Sequence, residues 1–170
     1  YALLMSTNAG TWRYLIGDTI RFVDLEHQEV VITGRTKHFL SLTGEHLSVD
    51  NMNKAIEQVS QEFNVSIPEY TVVGFPYENY FAHRWYVSTN DHIDPKALRD
   101  RIDAILREIN DDYAIERDSA LKEVFLEVLP EEAFMQFMAE KGKIGSQHKF
   151  PRVMKGKMLA DWEAFLSRRS

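Results

Sequence analysis

The chain has 170 residues, 44% hydrophobic and 12% aromatic, enough to bury one good core; at roughly 100 to 200 residues per domain, one compact domain plus an appendage is expected. A formal net charge of -6 argues against a dedicated nucleic-acid binder, which needs a clear Lys/Arg excess to neutralise phosphates. With no cysteine, disulfides, thiolate metal sites and a cysteine nucleophile are excluded; this suits a reducing compartment, and the cytoplasm is the expected location.

Residues 1 to 33 alternate and carry β-branched or aromatic residues, with polar turn material at Asp24-Leu25-Glu26-His27-Gln28, and predict short antiparallel strands. Such strands alone struggle to cover both faces. The chain opens on Tyr1 and runs straight into an apolar stretch, which reads as a piece of something longer. A second short hairpin is expected from "HFLSL" and "EHLS" around a turn at Thr43-Gly44, where Gly44 takes positive φ without a Cβ penalty.

Val49, Met52, Ile56, Val59 and Phe63 recur at steps of three and four, predicting a helix from about Val49 to Phe63 with Ser48 as N-cap. "EYTVVGFPY" and "YFAHRWYVST" read as paired strands joined around Glu78-Asn79, with Pro76 expected to weaken the pairing locally. Asp94 caps the next helix with Pro95 at its first position; Ile93 can staple against Leu98 ahead of Ile102, Ile105, Leu106 and Ile109. Val124, Leu126 and Val128 mark a further strand, and Pro130 opens a helix carrying Phe134, Phe137 and Met138. Met158, Leu159, Trp162, Phe165 and Leu166 make a final amphipathic helix after a Gly-containing basic loop. The expected fold class is α+β: a small mixed or antiparallel sheet flanked by helices in the order α-β-β-α-β-α, ferredoxin-like, preceded by short strands.

No apolar run approaches the ~20 residues needed to cross a bilayer, so no membrane partner is expected. Acidic residues dominate from Asp91 to Glu140, whereas Lys141, Lys143, Lys149, Arg152, Lys155, Lys157, Arg168 and Arg169 follow against only Asp161 and Glu163. That basic end suits a phosphorylated ligand or plain solvation. The six histidines lack metal-ligand spacing, and there is no Gly-x-Ser-x-Gly elbow.

Two glycine-led pairs remain, Gly17-Asp18 at an expected strand end and Gly34-Arg35 followed by Thr36-Lys37. A carboxylate at a tight glycine turn can accept hydrogen bonds from both hydroxyls of a ribose, and such charge-assisted bonds are the stronger ones. "WRYLIGD" resembles the Tyr-Arg-x-Gly-Asp signature of the acyl-adenylate-forming superfamily, the firefly-luciferase-like group, and "TGRTKHFLSLTGEHLSVDNM" resembles its hinge segment. The resemblance implies that Asp18 and Arg35, with Gly17 and Gly34, contact the nucleotide ribose or phosphate, and that Lys37 is the pivot between a large and a small domain.

The closer resemblance, carried by "STNAGTWRYLIGDTIRF", "ITGRTKHFLSLTGEHLSVDNM" and "QHKFPR", is to the acyl-acid amido synthetases of the auxin-responsive-promoter family, bacterial branch. It implies activation of an acyl acid with ATP and Mg2+ to an acyl-adenylate, then attack by an amino acid's amine with loss of AMP. Lys149 in "QHKFPR" matches the motif lysine, Lys157 in "KGK" is a rival for the mobile catalytic lysine, and Arg152 could support the same loop. The implied division is residues 1–34 from the end of the adenylating domain, 35–48 as hinge and hairpin, and 49–170 as the mobile domain. His38 and His46 depart from the pattern, standing where Asp and a Lys or Arg are frequent; either a proton-sensitive hinge or ordinary surface residues would account for them. The superfamily's phosphate-binding loop has no counterpart here, so the chain alone is expected to be nearly inactive. Two other readings stand beside this one: transfer to coenzyme A as a thioester, and a non-catalytic ferredoxin-like module that binds a ligand.

Overall fold

The computed structural model describes residues 1–35, 39–142 and 149–169. Strands β1 (Ala2–Met5), β2 (Tyr14–Asp24) and β3 (Glu29–Arg35) form an antiparallel sheet in that order, as the alternation predicts. One expectation fails: Gly17 and Asp18 lie within an eleven-residue strand, not at a strand end. Gly17 takes φ 88° without a Cβ penalty at the point where the pairing with β1 shifts register, and among the described residues the ladder with β3 starts at Asp18, with an irregularity between Thr19 and Ile20. Leu15, Ile16, Phe22, Val30 and Ile32 are all exposed, so this sheet leaves much apolar surface uncovered.

Strands β4 (Phe39–Leu40) and β5 (Leu47–Ser48) form the second hairpin, with Leu40 opposite Leu47. Helix α1 (Val49–Phe63) begins at the predicted cap: Ser48 accepts from the Asn51 amide, and the Asn51 side chain returns to the Ser48 amide. Met52, Ala55, Ile56 and Val59 make its buried stripe, while Phe63 at the last position stays largely outside.

Strands β6 (Tyr70–Tyr77) and β7 (Tyr80–Ser88) pair antiparallel through a turn at Glu78-Asn79. Pairing continues through Pro76, opposite Phe81. Because β6 is the edge strand of its sheet, a missing N–H there need not interrupt the ladder. Helix α2 (Pro95–Ile109) follows its Asp94 cap, and α3 (Asp111–Asp118) follows α2 after one residue, Asn110, which ends the first helix and caps the second. Helix α3 is not predicted by periodicity, because Tyr113 is its single buried residue. Strand β8 (Leu121–Leu129) lies parallel to β7, and α4 (Glu131–Glu140) and α5 (Gly156–Arg169) complete the chain.

The fold is the expected mixed α+β arrangement with one helix added. One hydrophobic cluster joins Val72, Trp85, Val87 and Val124 of the β6-β7-β8 sheet to Met52 and Val59 of α1 and Leu98 and Ile102 of α2. A second joins Val73 and Tyr86 to Phe134 and Phe137 of α4 and Trp162 and Phe165 of α5. Each fully buried side chain of this size contributes about 1.5–3 kcal/mol.

The hairpin rests on β6 at Gly74, where an added Cβ would stand 2.5 Å from Leu42 Cδ1 and 3.0 Å from Leu40 Cδ1. Gly74→Ala should therefore cost roughly 1–3 kcal/mol by overpacking and lower the melting temperature by several degrees. In a Leu42→Ala background, thermal melts should show a smaller penalty, since the closest clashing atoms, those of Leu42, are gone.

Candidate functional site

The structure sets the two glycine-led motifs side by side. Asp18 on β2 is the direct cross-strand partner of Arg35 on β3, and Thr19 is the partner of Gly34. Residues opposite each other in an antiparallel pair lie about 4.5–5.5 Å apart at Cα, so one ligand can meet both positions. Asp18 is half-buried. Lys37 and His38 lie outside the described residues. Next to this pair, a cavity of about 440 Å³ opens between Thr19, Ile20, Arg21 and Thr33 of the sheet and Ser48 and Asp50 at the start of α1.

Lys149 and Arg152 lie in an irregular segment that runs to the edge of a different sheet, at β6. Lys149 is exposed and makes no ion pair with a described residue, while Phe150 beside it is buried among Phe134, Phe137 and Trp162. The backbone then bridges to the edge of β6: Val72 N donates to Arg152 O at 2.9 Å, and Met154 N donates to Val72 O at 3.1 Å. Arg152 turns back onto the start of β6, donating to Glu69 Oε2 at 2.5 Å and to Tyr70 O at 3.1 Å, with its guanidinium 4.4 Å from the Tyr70 ring centroid. Its contacts fix the backbone just beyond Lys149. Lys157 is exposed in the first turn of α5, where its charge helps hold the Asp161 carboxyl below its ordinary value, after the larger effect of Lys141. His46 is an exposed hairpin residue 3.3 Å from Asp112.

A buried pair is the feature sequence reading missed. Glu45 and His83 are both fully buried, with Glu45 Oε1 3.0 Å from His83 Nε2. The Glu45 carboxylate also accepts from the amides of Leu42 at 2.9 Å, Thr43 at 3.0 Å and Gly44 at 3.2 Å, and from the Thr43 hydroxyl. Burial alone would raise its pKa; the hydrogen bonds from His83, Thr43 and Leu42 outweigh that and hold it at about 2. Burial pushes His83 below its ordinary value, against the pull of Glu45. Sequence offered only the Gly44-Glu45 dipeptide and a histidine at an inward strand position, 38 residues apart.

A family model for the GH3 family C-terminal domain matches residues 50–157, and one for the GH3 family central domain matches residues 1–34. Among solved structures, the chain is similar to a GH3.15 acyl acid amido synthetase, with a TM-score of 0.75 and 19% identity. It is also similar to AtGH3.15 acyl acid amido synthetase in complex with 2,4-DB, with a TM-score of 0.71 and 21% identity. In both cases 96% of this chain is covered and 32% of the other, so the chain spans about a third of their length. Comparison with curated proteins gives no match.

The buried pair sets a pH dependence. Below pH 6.5 the unfolded chain protonates His83 while the folded one resists, and below 4.5 the same holds for Glu45 until about pH 2. Both groups therefore contribute stability that is present above their unfolded values and lost as pH falls, on the order of 3 kcal/mol for Glu45. Denaturant midpoints should decline from neutral pH downward, and His83→Gln should flatten the part that begins at 6.5.

Proposed function

Because the chain belongs to the GH3 family, we propose that it works as the C-terminal part of an acyl acid amido synthetase, a ligase that adenylates its acid before joining it to an amine. A carboxylate oxygen of the acyl acid attacks the α-phosphorus of ATP, the bond to the β-phosphate breaks, and pyrophosphate leaves. The amine nitrogen of an amino acid then attacks the acyl carbon, the bond to the adenylate oxygen breaks, a proton is released, and AMP departs with the amide formed.

The observation that carries this reading is the cross-strand pairing of Asp18 with Arg35. In it, Asp18 accepts hydrogen bonds from the ribose hydroxyls and Arg35 contacts ribose or phosphate, with Gly17 and Gly34 admitting the nucleotide close to the backbone. Lys149 offsets the negative charge that grows on the phosphoryl oxygens during adenylation. Arg152 holds the Lys149 segment in place through Glu69 and Tyr70. Lys37 is the pivot. Lys157 is the weaker candidate for the catalytic lysine because it lies within the field of Asp161. ATP arrives with Mg2+, and among the described residues no group of three His, Asp or Glu side chains could hold a metal ion. Closing the domain over the adenylate would keep water from it.

Among the described residues no helix is long and apolar enough to cross a membrane. A cytoplasmic location agrees with the lack of cysteine. The amino acid is the acceptor in this reading; coenzyme A is the alternative, and acceptor dependence separates the two.

ATP/pyrophosphate exchange by the full-length gene product, screened over acyl acids, tests the proposal. Asp18→Ala should lower kcat/KM for ATP by about 30-fold, the loss of roughly 2 kcal/mol of charge-assisted hydrogen bonding. Lys149→Ala should lower kcat by about 10²–10³. A folded protein that binds ATP yet exchanges with no acid, or a Lys149→Ala variant with undiminished exchange, would sink the assignment in favour of a non-catalytic module.

A further inference from the structure

We infer that Phe150, seated against Trp162 of α5, is a positioning residue for Lys149, so that α5 aims the lysine through one aromatic contact. Lys149 is exposed, whereas Phe150 beside it is 4% exposed. The Phe150 ring lies edge-on to Phe134 of α4 at 4.7 Å and to Trp162 at 5.4 Å, with Phe137 at 6.0 Å. Edge-to-face packing favours a particular ring orientation as well as burial, and so restrains the backbone one residue from the lysine. An aliphatic side chain could fill much of the same space without supplying that orientation.

Trp162 is the centre of the mount. It is fully buried, and besides Phe150 its indole meets Tyr86 of β7 at 5.7 Å and Phe137 at 5.0 Å. Trp162 and Phe165 are the buried residues of α5, so the helix reaches the Lys149 segment through this indole. Beyond Phe150 the segment enters both cores: Met154 packs in the cluster with α4 and α5, while Val153 packs against the cluster with α1 and α2. Arg152 and the bridge to Val72 hold the segment farther along, and Phe150 is the anchor next to the lysine. Misplacing a reacting group by about 1 Å can cost roughly 10²-fold in rate. The mount stands on packing alone; its consequence for catalysis rests on the adenylation reading.

Phe165 supplies the control. It is buried in the same cluster, 5.7 Å from Trp162 and 5.5 Å from Phe137, with no ring contact to Phe150 among the described residues. Phe150→Leu and Phe165→Leu therefore make the same change in one core, and only the first should loosen the lysine. In the cysteine-free chain, a spin label at Lys149→Cys should gain mobility with Phe150→Leu and little with Phe165→Leu, while both variants keep a cooperative melt. Trp162→Phe, a milder change, should give a smaller gain and takes the place of Phe150→Leu if that variant does not fold. In the full-length gene product, Phe150→Leu should lower kcat for ATP/pyrophosphate exchange about tenfold with KM for ATP unchanged, and Phe165→Leu by at most about twofold, each measured on soluble folded protein. In a Lys149→Ala background Phe150→Leu should cost nothing more, because its effect passes through the lysine. A label unmoved by Phe150→Leu or its stand-in, or loosened as much by Phe165→Leu, would overturn the mount. Equal kcat losses in the two leucine variants, or a Phe150→Leu loss that persists without Lys149, would overturn the positioning role. If the unsubstituted protein exchanges with no acid, the adenylation reading fails and the label still decides the mount.

Discussion

The whole C-terminal unit depends on β7 being buried on both faces. It lies between β6 and β8, and Ala82, His83, Trp85, Tyr86 and Val87 are each 2% exposed or less. A strand with no solvent side needs a protein partner for its polar groups. Glu45 is the partner found for His83 Nε2, and that bond brings the hairpin down on the sheet, while His83 Nδ1 has no hydrogen-bond partner among the described residues. On the same face, Trp85 stacks on Tyr70, and Arg152 lies over the Tyr70 ring. On the other face, Tyr86 meets Trp162, against which Phe150 also packs. The hairpin and the segment that carries Lys149 are thus referenced to one rigid strand, although they come from opposite ends of the unit's sequence.

Electrostatics makes this frame selective. A fully buried carboxylate loses its solvation, and the amides of Leu42, Thr43 and Gly44, the Thr43 hydroxyl and His83 compensate it. Removing one partner of such a buried pair leaves the other exposed to the whole desolvation penalty, typically 3–5 kcal/mol. The surface pairs around it, such as Arg101 with Glu62 or Arg168 with Glu140, work in high dielectric and contribute little by comparison.

What the sequence revealed follows from how local each signal is. Helices α1 and α2 combine a wide apolar stripe with adjacent caps at Ser48 and at Asp94-Pro95, so periodicity and capping agree. Helix α3 offers only Tyr113 as an inward residue, too little for a period to emerge. The Gly17-Asp18 and Gly34-Arg35 pairs stood out as motifs, yet their side-by-side register depends on where the β2-β3 turn falls and on the irregularity beside Thr19, neither of which the dipeptides encode. Glu45 with His83, and Arg152 with Glu69, are contacts between residues 38 and 83 positions apart, and no local pattern carries that information.

The bridge between Val153 and Val72 has a consequence for colloidal behaviour. Strand β6, with its Thr71-Val72-Val73 run, is an apolar edge of the kind that templates pairing between molecules. The stretch from Phe150 to Met154 occupies that edge and brings Pro151, which cannot donate to a ladder, together with the charged Arg152. The few residues beyond Lys149 therefore act as a gatekeeper against self-assembly as well as a mount for the lysine. Substitutions there can silence the protein by removing it from solution, a loss that turnover measurements alone would mistake for chemistry.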